Sequence, residues 1–475
     1  MKNVSYFCFL FCFYFLLSTF SKKMYQHLYA PYLAKRRFRP AITSLPEEAL
    51  RMIVTIPAYK EPALLRSLES LYLCRRPSCL TEALVVINHP ENAPDEARQL
   101  NEQCLNEVQS WIHSHRDDKL HFHVIYQPDV PEKIAGVGYA RKTGMDEAVC
   151  RFLQSGTDDG VIIGFDADAT CDENYLVEIE RTFFGGKAVN GASIYYEHPL
   201  EGDEYDACVY EGVALYELHL RYLNQALRYA GFPYAYHTVG SSFAVRASAY
   251  VKQGGMNRRK AGEDFHFLQK IIPMGNYVEI NTTRVIPSPR PSDRVPFGTG
   301  VSIQKCLNEG QPALYTYPLE PFEDLKQLFA LVPLFFKANP ANIANLCIPE
   351  TSNFKLQTSN FKLETPMQHY LLQNNYLEHI VQANANSAST EAFTKRFFSW
   401  FDGLKTVKYL NDSCRQTYGK QSPEKAAARL LQKSGYENNF SARELLQIYR
   451  EIESKQFFDF PNKFLSMNPA ELFNL

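Results

Sequence analysis

The sequence has little of several features that would assign it to a protein class at once. Its formal net charge is only −2 over 475 residues, so no large field of one sign draws it to nucleic acid or to anionic lipid. Its 11 cysteines are scattered and form no C-x-x-C pair, which argues against structural zinc and for a reducing compartment. We therefore expect a cytoplasmic protein without a nucleic-acid partner.

Long hydrophobic runs are also missing, with one exception near the start. Residues 4–20 are rich in Phe, Leu and Cys, but a run of about 16 residues is short for a membrane span, and no A-x-A-like cleavage site follows. Three interpretations of the hydrophobic segment 1–23 stay open: a signal-anchor, an uncleaved signal-like segment, or a mis-assigned start before Met24. With the basic patch 35–39 behind it, an anchor would hold the chain in peripheral contact with the inner face of a membrane.

The remaining chain has enough apolar sequence for a large core and for about two to four domains. Apolar runs of strand length alternate with segments of helical periodicity, the order typical of an α/β fold with a mostly parallel sheet flanked by helices. From about residue 301 the pattern becomes mostly helical. We expect a linker over residues 24–50, a catalytic domain over 51–300 and a C-terminal α-helical appendage over 301–475.

The most informative apolar run ends in two aspartates. Val161–Phe165 predicts a buried strand, and Asp166 and Asp168 follow it directly. Ligands of open α/β sheets bind outside the carboxyl ends of the strands, and paired carboxylates suit a hard divalent cation such as Mg²⁺ or Mn²⁺. The alternative is an acidic turn without a ligand.

Four motifs occur in a fixed order between residues 51 and 270. They are Ile53–Glu61 (Ile-Val-Thr-Ile-Pro-Ala-Tyr-Lys-Glu), Gly136–Gly144 (Gly-Val-Gly-Tyr-Ala-Arg-Lys-Thr-Gly), Asp166-Ala-Asp168, and the segment from Gly240–Arg246 through Gly254-Gly255 to Gly262–Phe267. In this order they resemble the signature segments of family 2 glycosyltransferases with the GT-A fold. The resemblance implies a GT-A-like sheet and transfer of a sugar from a nucleoside-diphosphate donor to a hydroxyl-bearing glycan or lipid-linked acceptor.

The resemblance also implies which residues hold the donor. The loop after the first strand would contact its base and ribose, although Asn88 stands where the family usually has an aspartate. The glycine-containing helix start would bring an arginine to the diphosphate, and a basic, proline-rich loop would close over it. The implied donor-binding residues are Pro57, Tyr59, Glu61, Asn88, Gly138, Arg141, Asp166, Arg290 and Arg294.

The catalytic groups follow from the same resemblance. Asp166 and Asp168 would hold Mn²⁺ or Mg²⁺ against the donor diphosphate, where the cation acts as a Lewis acid. Asp264 would be the general base that takes the acceptor proton in an inverting transfer, and Glu263 would orient the acceptor. An acidic first turn of a helix is the structural alternative for this pair of residues.

Two further features limit the function. The chain lacks the Q-x-x-R-W motif and the series of membrane spans that processive polysaccharide synthases carry. Two rival interpretations stay open: a nucleotidyltransferase-like enzyme on a similar sheet, in which Glu263 and Asp264 would have no role, and a catalytically inactive protein that binds a nucleotide sugar or a glycan, which the uncharged Asn88 favours.

Overall fold

The computed structural model describes residues 27–291, 304, 314–347, 365–436 and 440–455. The chain divides into two compact units. The first, here called the sheet unit, contains the described residues of 27–199 and 238–288. The second, the helical unit, contains residues 200–237, 289–291 and the described residues from 304 onward.

The sheet unit is built on an eight-stranded sheet with the spatial order β3-β2-β1-β4-β7-β6-β8-β5. Four of its seven strand pairings are parallel, and the antiparallel pairings involve β5 and β7. The strands are β1 (Leu50–Ala58), β2 (Leu80–Pro90), β3 (Leu120–Val130), β4 (Val161–Gly164), β5 (Thr170–Cys171), β6 (Gly191–Tyr196), β7 (Phe243–Arg246) and β8 (Tyr277–Ile286).

The helices in chain order begin with α1, residues 27–35. They continue as α2 (Leu64–Tyr72), α3 (Asp95–Ser114), α4 (Val137–Ser155), α5 (Tyr175–Phe184), α6 (Ala207–Tyr229), α7 (Ala247–Lys252), α8 (Glu263–Ile271), α9 (Glu320–Leu331), α10 (Pro340–Cys347), α11 (Thr365–Gln373), α12 (Tyr376–Ala385), α13 (Thr390–Trp400), α14 (Gly403–Ser413), α15 (Pro423–Gln432) and α16 (Ala442–Lys455). The predicted fold class, an α/β fold with a mostly parallel sheet flanked by helices, is confirmed.

The central strands are apolar because both of their faces are covered. In β1 the residues from Met52 to Ile56 are all buried, and β2 is buried from Leu80 through His89. Strands of this kind are near-continuous apolar runs rather than alternating ones. The sequence predicts a short second strand over residues 84–87, and the structure extends it to Pro90. Asn88 therefore lies inside β2, paired with Gln127 of β3.

The helical unit has its own core, which consists mostly of aromatic and leucine side chains. Tyr222 on α6 packs edge-to-face on Phe322 of α9, and Phe329 packs in the same way on Phe398 of α13. Residues 207–229 thus belong with the C-terminal helices, whereas the sequence places them in the catalytic domain; the predicted boundary at residue 300 stays a prediction. In the part of the chain that the structure describes, no helix has the length and hydropathy of a membrane span; the segment 1–23 lies outside it.

Candidate active site

The two aspartates that follow β4 lie at the carboxyl end of the sheet's parallel strands. β4 runs parallel to β1 with Gly164 opposite Thr55, and the Phe165 amide donates to the Thr55 carbonyl at 3.2 Å. Asp166 comes next, with 35 % of its side chain exposed, and Asp168 is half-buried. The predicted placement of the Asp-Ala-Asp loop at a strand end thus agrees with the structure.

A serine on α2 hydrogen-bonds to the backbone of this loop. The Ser67 hydroxyl oxygen lies 2.9 Å from the Ala167 carbonyl oxygen and 2.6 Å from the Ala169 carbonyl oxygen. A hydroxyl has one proton to donate, so the two carbonyls, which flank Asp168, share it. Ser67 is 1 % exposed. Its signal in the sequence is only a polar residue on the apolar face of a helix, and it was not predicted as a site residue.

Arg141 of α4 joins three segments of the site. Its Nε donates to Glu263 Oε1 at 2.9 Å, its Nη1 donates to the Gly240 carbonyl at 2.9 Å, and its Nη2 donates to Asp166 Oδ1. The guanidinium is 3 % exposed. Burial opposes its charge, but Asp166, Glu263 and Asp264 outweigh that effect and raise the pKa of Arg141. The residue is therefore a permanent cation held among carboxylates.

These contacts bear on the predicted role of Arg141. The three nitrogens of its guanidinium all donate to protein oxygens, which favours a positioning role over a contact with donor phosphate. Gly240 permits the arrangement, because a Cβ there would lie 2.4 Å from Arg141 Nη2. Gly138 has a comparable reason: a Cβ would lie 2.2 Å from the Arg259 carbonyl oxygen, so this glycine accommodates the turn before α8. The predicted donor contacts of both Arg141 and Gly138 stay predictions.

The Glu263-Asp264 pair begins α8, directly after Gly262 in a left-handed conformation. The side chain of Glu263 is 5 % exposed, and Asp264 Oδ1 accepts a hydrogen bond from the Phe265 amide at 2.7 Å. Burial and the neighbouring Glu263 carboxylate raise the pKa of Asp264 to about 7, against the opposing effect of Arg141. A carboxylate with this pKa is partly ionised at neutral pH and is suited to accept a proton.

The net charge of the cluster formed by Arg141, Asp166, Glu263 and Asp264 bears on whether a cation fits here. Three carboxylates, Asp166, Glu263 and Asp264, surround one guanidinium, so the cluster has an excess of negative charge. Among the described residues no three His, Cys, Asp or Glu side chains are arranged to hold a metal by themselves. Mg²⁺ and similar cations commonly take one or two protein carboxylates and complete their shell with phosphate and water oxygens. Asp166 and Asp168 fit that donor set, provided that a diphosphate supplies the other oxygens.

The loop after β1 and the end of β2 are tied together by a residue that the sequence did not single out. Asn101 of α3 accepts a hydrogen bond from the Lys60 amide at 2.9 Å and donates to the Asn88 carbonyl at 3.4 Å. The side chain of Asn88 is buried, and so is that of Glu61, which accepts from the Ala63 amide at 3.0 Å at the start of α2. The structure therefore places Glu61 and Asn88 near the carboxyl ends of β1 and β2, with both side chains buried in protein.

The remaining predicted donor-binding residues fall into three groups by their position in the chain. Pro57 lies at the end of β1, opposite Val86 of β2, and is half-buried, as is Tyr59 in the loop that follows. Arg290 is described and half-buried and belongs to the helical unit. Arg294 lies outside the described residues. The predicted basic lid of Arg290 and Arg294 stays a prediction.

Comparison with solved structures found similar chains at low sequence identity. S. aureus TarS 1-349 in complex with UDP-GlcNAc is 15 % identical over 77 % of this chain and 92 % of that chain, with a TM-score of 0.36. The mannosyltransferase PcManGT from Pyrobaculum calidifontis in complex with GDP-Man and Mn²⁺ is 14 % identical over 94 % of this chain and 97 % of that chain, with a TM-score of 0.30. At these TM-scores the likeness carries no argument about function.

Neither of the two sequence comparisons found a relative: no protein-family model and no curated protein matches the chain.

Proposed function

We propose that this protein is an inverting, metal-dependent glycosyltransferase of the family 2 type, which moves a hexosyl group from a nucleoside-diphosphate sugar to a hydroxyl of a glycan or a lipid-linked acceptor. The observation that carries the proposal is the position of Asp264. Its carboxylate, with a pKa near neutrality, belongs to the same cluster as the partly exposed Asp166, to which Arg141 links the start of α8. One guanidinium thus links a predicted cation-binding carboxylate to the helix start that carries the predicted base.

The carboxylates have different roles, which follow from their surroundings. Asp166 and Asp168 are the residues that would hold Mn²⁺ or Mg²⁺, and a cation bound there would supply Lewis-acid stabilisation to the leaving diphosphate. Asp264 accepts the proton of the acceptor hydroxyl as its oxygen attacks the anomeric carbon from the face opposite the leaving group. Glu263, fixed by Arg141, orients that hydroxyl, and the resulting displacement inverts the anomeric centre.

The experiment that tests this function measures the release of nucleoside diphosphate from UDP- and GDP-sugars with Mn²⁺ and an acceptor mixture of glycans and lipid-linked sugars. We expect turnover with one donor class, a loss of about 10²–10⁴-fold in kcat for Asp264→Asn, and a comparable loss for Asp168→Ala. An exposed-surface variant, Asp118→Ala, is the control and keeps full activity.

One specific observation supports a second candidate function. The Asn88 amide is buried inside β2, where the family usually has an aspartate, and this favours a protein that binds a nucleotide sugar or a glycan without turnover. Saturable donor binding with no diphosphate release under any donor and acceptor would support this second function and reject the transferase. Activity that persists in EDTA would reject the metal role of Asp166 and Asp168.

A further inference from the structure

Two cysteine thiols lie in contact just beyond the Asp-Ala-Asp loop. The sulfur of Cys74, which follows α2, is 3.6 Å from the sulfur of Cys171 in β5. We propose that Cys74 and Cys171, here called the thiol pair, are a modification site at which a hydroperoxide forms a reversible disulfide. The proposal concerns the chemistry of these two sulfurs and is independent of the sugar-transfer function.

The backbone around the thiol pair already holds the two segments together. The amide of Arg75 donates to the carbonyl of Glu173 at 2.7 Å, and each of these residues lies within two positions of one cysteine. A disulfide has an S–S distance of about 2.05 Å, so the sulfurs must approach by about 1.5 Å for the cross-link to form.

The two thiols differ in their readiness to react. The hydrogen bond from Cys171 lowers the pKa of Cys74, whereas burial raises the pKa of Cys171 well above its usual range. The nucleophile in thiol oxidation is the thiolate, so Cys74 reacts first although it is 3 % exposed, and the half-buried Cys171 resolves. Cys104 and Cys150 of the same unit are buried like Cys74, but burial raises their pKa values to about 11.

The oxidation proceeds in two balanced steps. The Cys74 thiolate attacks one oxygen of a hydroperoxide; its O–O bond breaks, a sulfenic acid forms, and the released oxyanion takes up a proton to become an alcohol, or water if the oxidant is hydrogen peroxide. The Cys171 sulfur then attacks the sulfenic sulfur. An S–S bond forms, the S–O bond breaks, and the departing hydroxide leaves with the thiol proton as water. Two electrons pass from the two thiols to the peroxide.

The position of the cross-link gives it a structural consequence. Cys171 comes three residues after Asp168, and α2 carries Ser67, which holds the carbonyls on both sides of that aspartate. A disulfide would tie the end of α2 to the chain that leaves the Asp-Ala-Asp loop. In a reducing compartment the thiol pair is reduced at rest and responds to peroxide.

The test treats the full-length protein with hydrogen peroxide, blocks the remaining thiols with N-ethylmaleimide, reduces it, and labels the released thiols with iodoacetamide for peptide mass spectrometry. We expect the second label on Cys74 and Cys171 together, with a cross-linked peptide pair before reduction, and none on Cys104 or Cys150. The unfolding temperature should rise by about 5 °C on oxidation and fall back with dithiothreitol.

Variants sharpen the result. Cys171→Ser removes the resolving thiol, so Cys74 should accumulate as a sulfenic acid that dimedone traps, and the rise in unfolding temperature should vanish; Cys104→Ser should leave the cross-link intact. The wild-type labelling does not depend on how well any variant folds. Separate sulfinic acids on Cys74 and Cys171, equal alkylation before and after peroxide, or a cross-link to a third cysteine would each overturn the proposal.

Discussion

Each unit of the protein contains a cluster in which buried arginine meets carboxylates, and the two clusters differ in their balance of charge. In the helical unit, Arg221 and Arg450 face Glu217 and Glu453, so two cations meet two anions. Arg450 binds Glu217 through two bonds of 2.7 Å, and Arg221 donates to both glutamates. His237 also contacts Glu453, at 3.1 Å. This network joins α6 to α16.

In the sheet unit, one guanidinium faces three carboxylates. The electrostatic consequences are opposite. His237 and Arg221 outweigh the burial of Glu453 and lower its pKa to about 2, whereas burial and the like charge of Glu263 raise the pKa of Asp264 to about 7. A balanced cluster suits a structural role because each charge is compensated. A cluster with excess negative charge is completed by a proton or a cation, which is what a site for acid–base and metal chemistry requires.

The protein has two tryptophans, and they allow the two clusters to be compared in one chain. Trp111 lies on α3 of the sheet unit and Trp400 on α13 of the helical unit. In a Trp400→Phe background the fluorescence reports unfolding of the sheet unit, and in a Trp111→Phe background it reports unfolding of the helical unit. The predictions below use these two backgrounds.

The largest expected effect comes from unbalancing the structural cluster. Arg221→Met leaves two buried glutamates with one arginine and should lower the free energy of unfolding of the helical unit by about 3–5 kcal/mol. The measurement is urea unfolding in the Trp111→Phe background. The control is Arg415→Met, which breaks an ion pair whose arginine side chain is 74 % exposed and should cost under about 1 kcal/mol. An equal loss in the free energy of unfolding in both variants would contradict the structural role of the balanced cluster.

Matched amide substitutions should affect the two clusters in opposite directions. Glu453→Gln removes a charge whose pKa is lowered from 4.5 to about 2, a difference of roughly 3 kcal/mol in favour of the charged form, and should destabilise the helical unit by that order. Asp264→Asn removes a charge that its surroundings disfavour, and should leave the sheet unit equally or more stable at pH 8 while lowering kcat by about 10²–10⁴-fold. Urea unfolding of both variants checks this, and a large destabilisation by Asp264→Asn would contradict it.

The stability of the two units should also depend differently on pH. The contribution of Glu453 is fully present above its unfolded pKa, near 4, and is lost as the pH falls through about 2. Asp264 has a raised pKa, so its unfavourable contribution is missing below about pH 4 and grows as the pH rises to about 7. Between pH 7 and pH 5 the sheet unit should therefore gain about 3 °C in unfolding temperature from this group.

Thermal unfolding over that pH range in the Trp400→Phe background measures the gain. Asp264→Asn should abolish it, because an amide does not titrate in this range. If the variant keeps the same slope as its parent, another group is responsible for the pH dependence.

The smallest expected effect is stabilisation by metal alone. Because the sheet-unit cluster has excess negative charge, Mn²⁺ should raise the unfolding temperature of that unit by about 1–2 °C, and more when a nucleoside diphosphate is added. The helical unit should not respond, since its charges are balanced. Asp168→Ala should lose the shift and the exposed control Asp118→Ala should keep it. A shift of equal size in the helical unit would indicate unspecific binding.

Much of the fold and part of the site follow from local sequence. The apolar run Val161–Phe165, with aspartates directly behind it, is enough to predict a buried strand and carboxylates at its end. The glycine before Glu263 and the periodicity after Asp264 are enough to predict a helix that begins with two acidic residues. These features depend on neighbouring positions of the chain, and the alternation of strands and helices extends them to an α/β sheet.

The partners of the buried polar groups could not be predicted in this way. The sequence shows an arginine near a glycine-containing helix start, but only the folded chain brings Arg141 to Glu263 and Asp166, which lie 122 and 25 positions away. The same holds for Asn88, which the sequence places in a loop and the structure buries in a longer β2. It holds also for α6, which joins the C-terminal helices through Arg221 and Glu453.

The physical reason is the difference between periodicity and pairing. Hydrophobic periodicity records which face of a segment is buried, and a single sequence contains that information locally. A buried charge is instead stable only with a partner, and the partner comes from whichever segment the tertiary fold brings near. The sequence by itself therefore determined that Asp166, Asp168, Glu263 and Asp264 end up at element boundaries of an α/β sheet. Only the tertiary structure decided that a single arginine joins Asp166, Gly240 and Glu263 and leaves the cluster with excess negative charge.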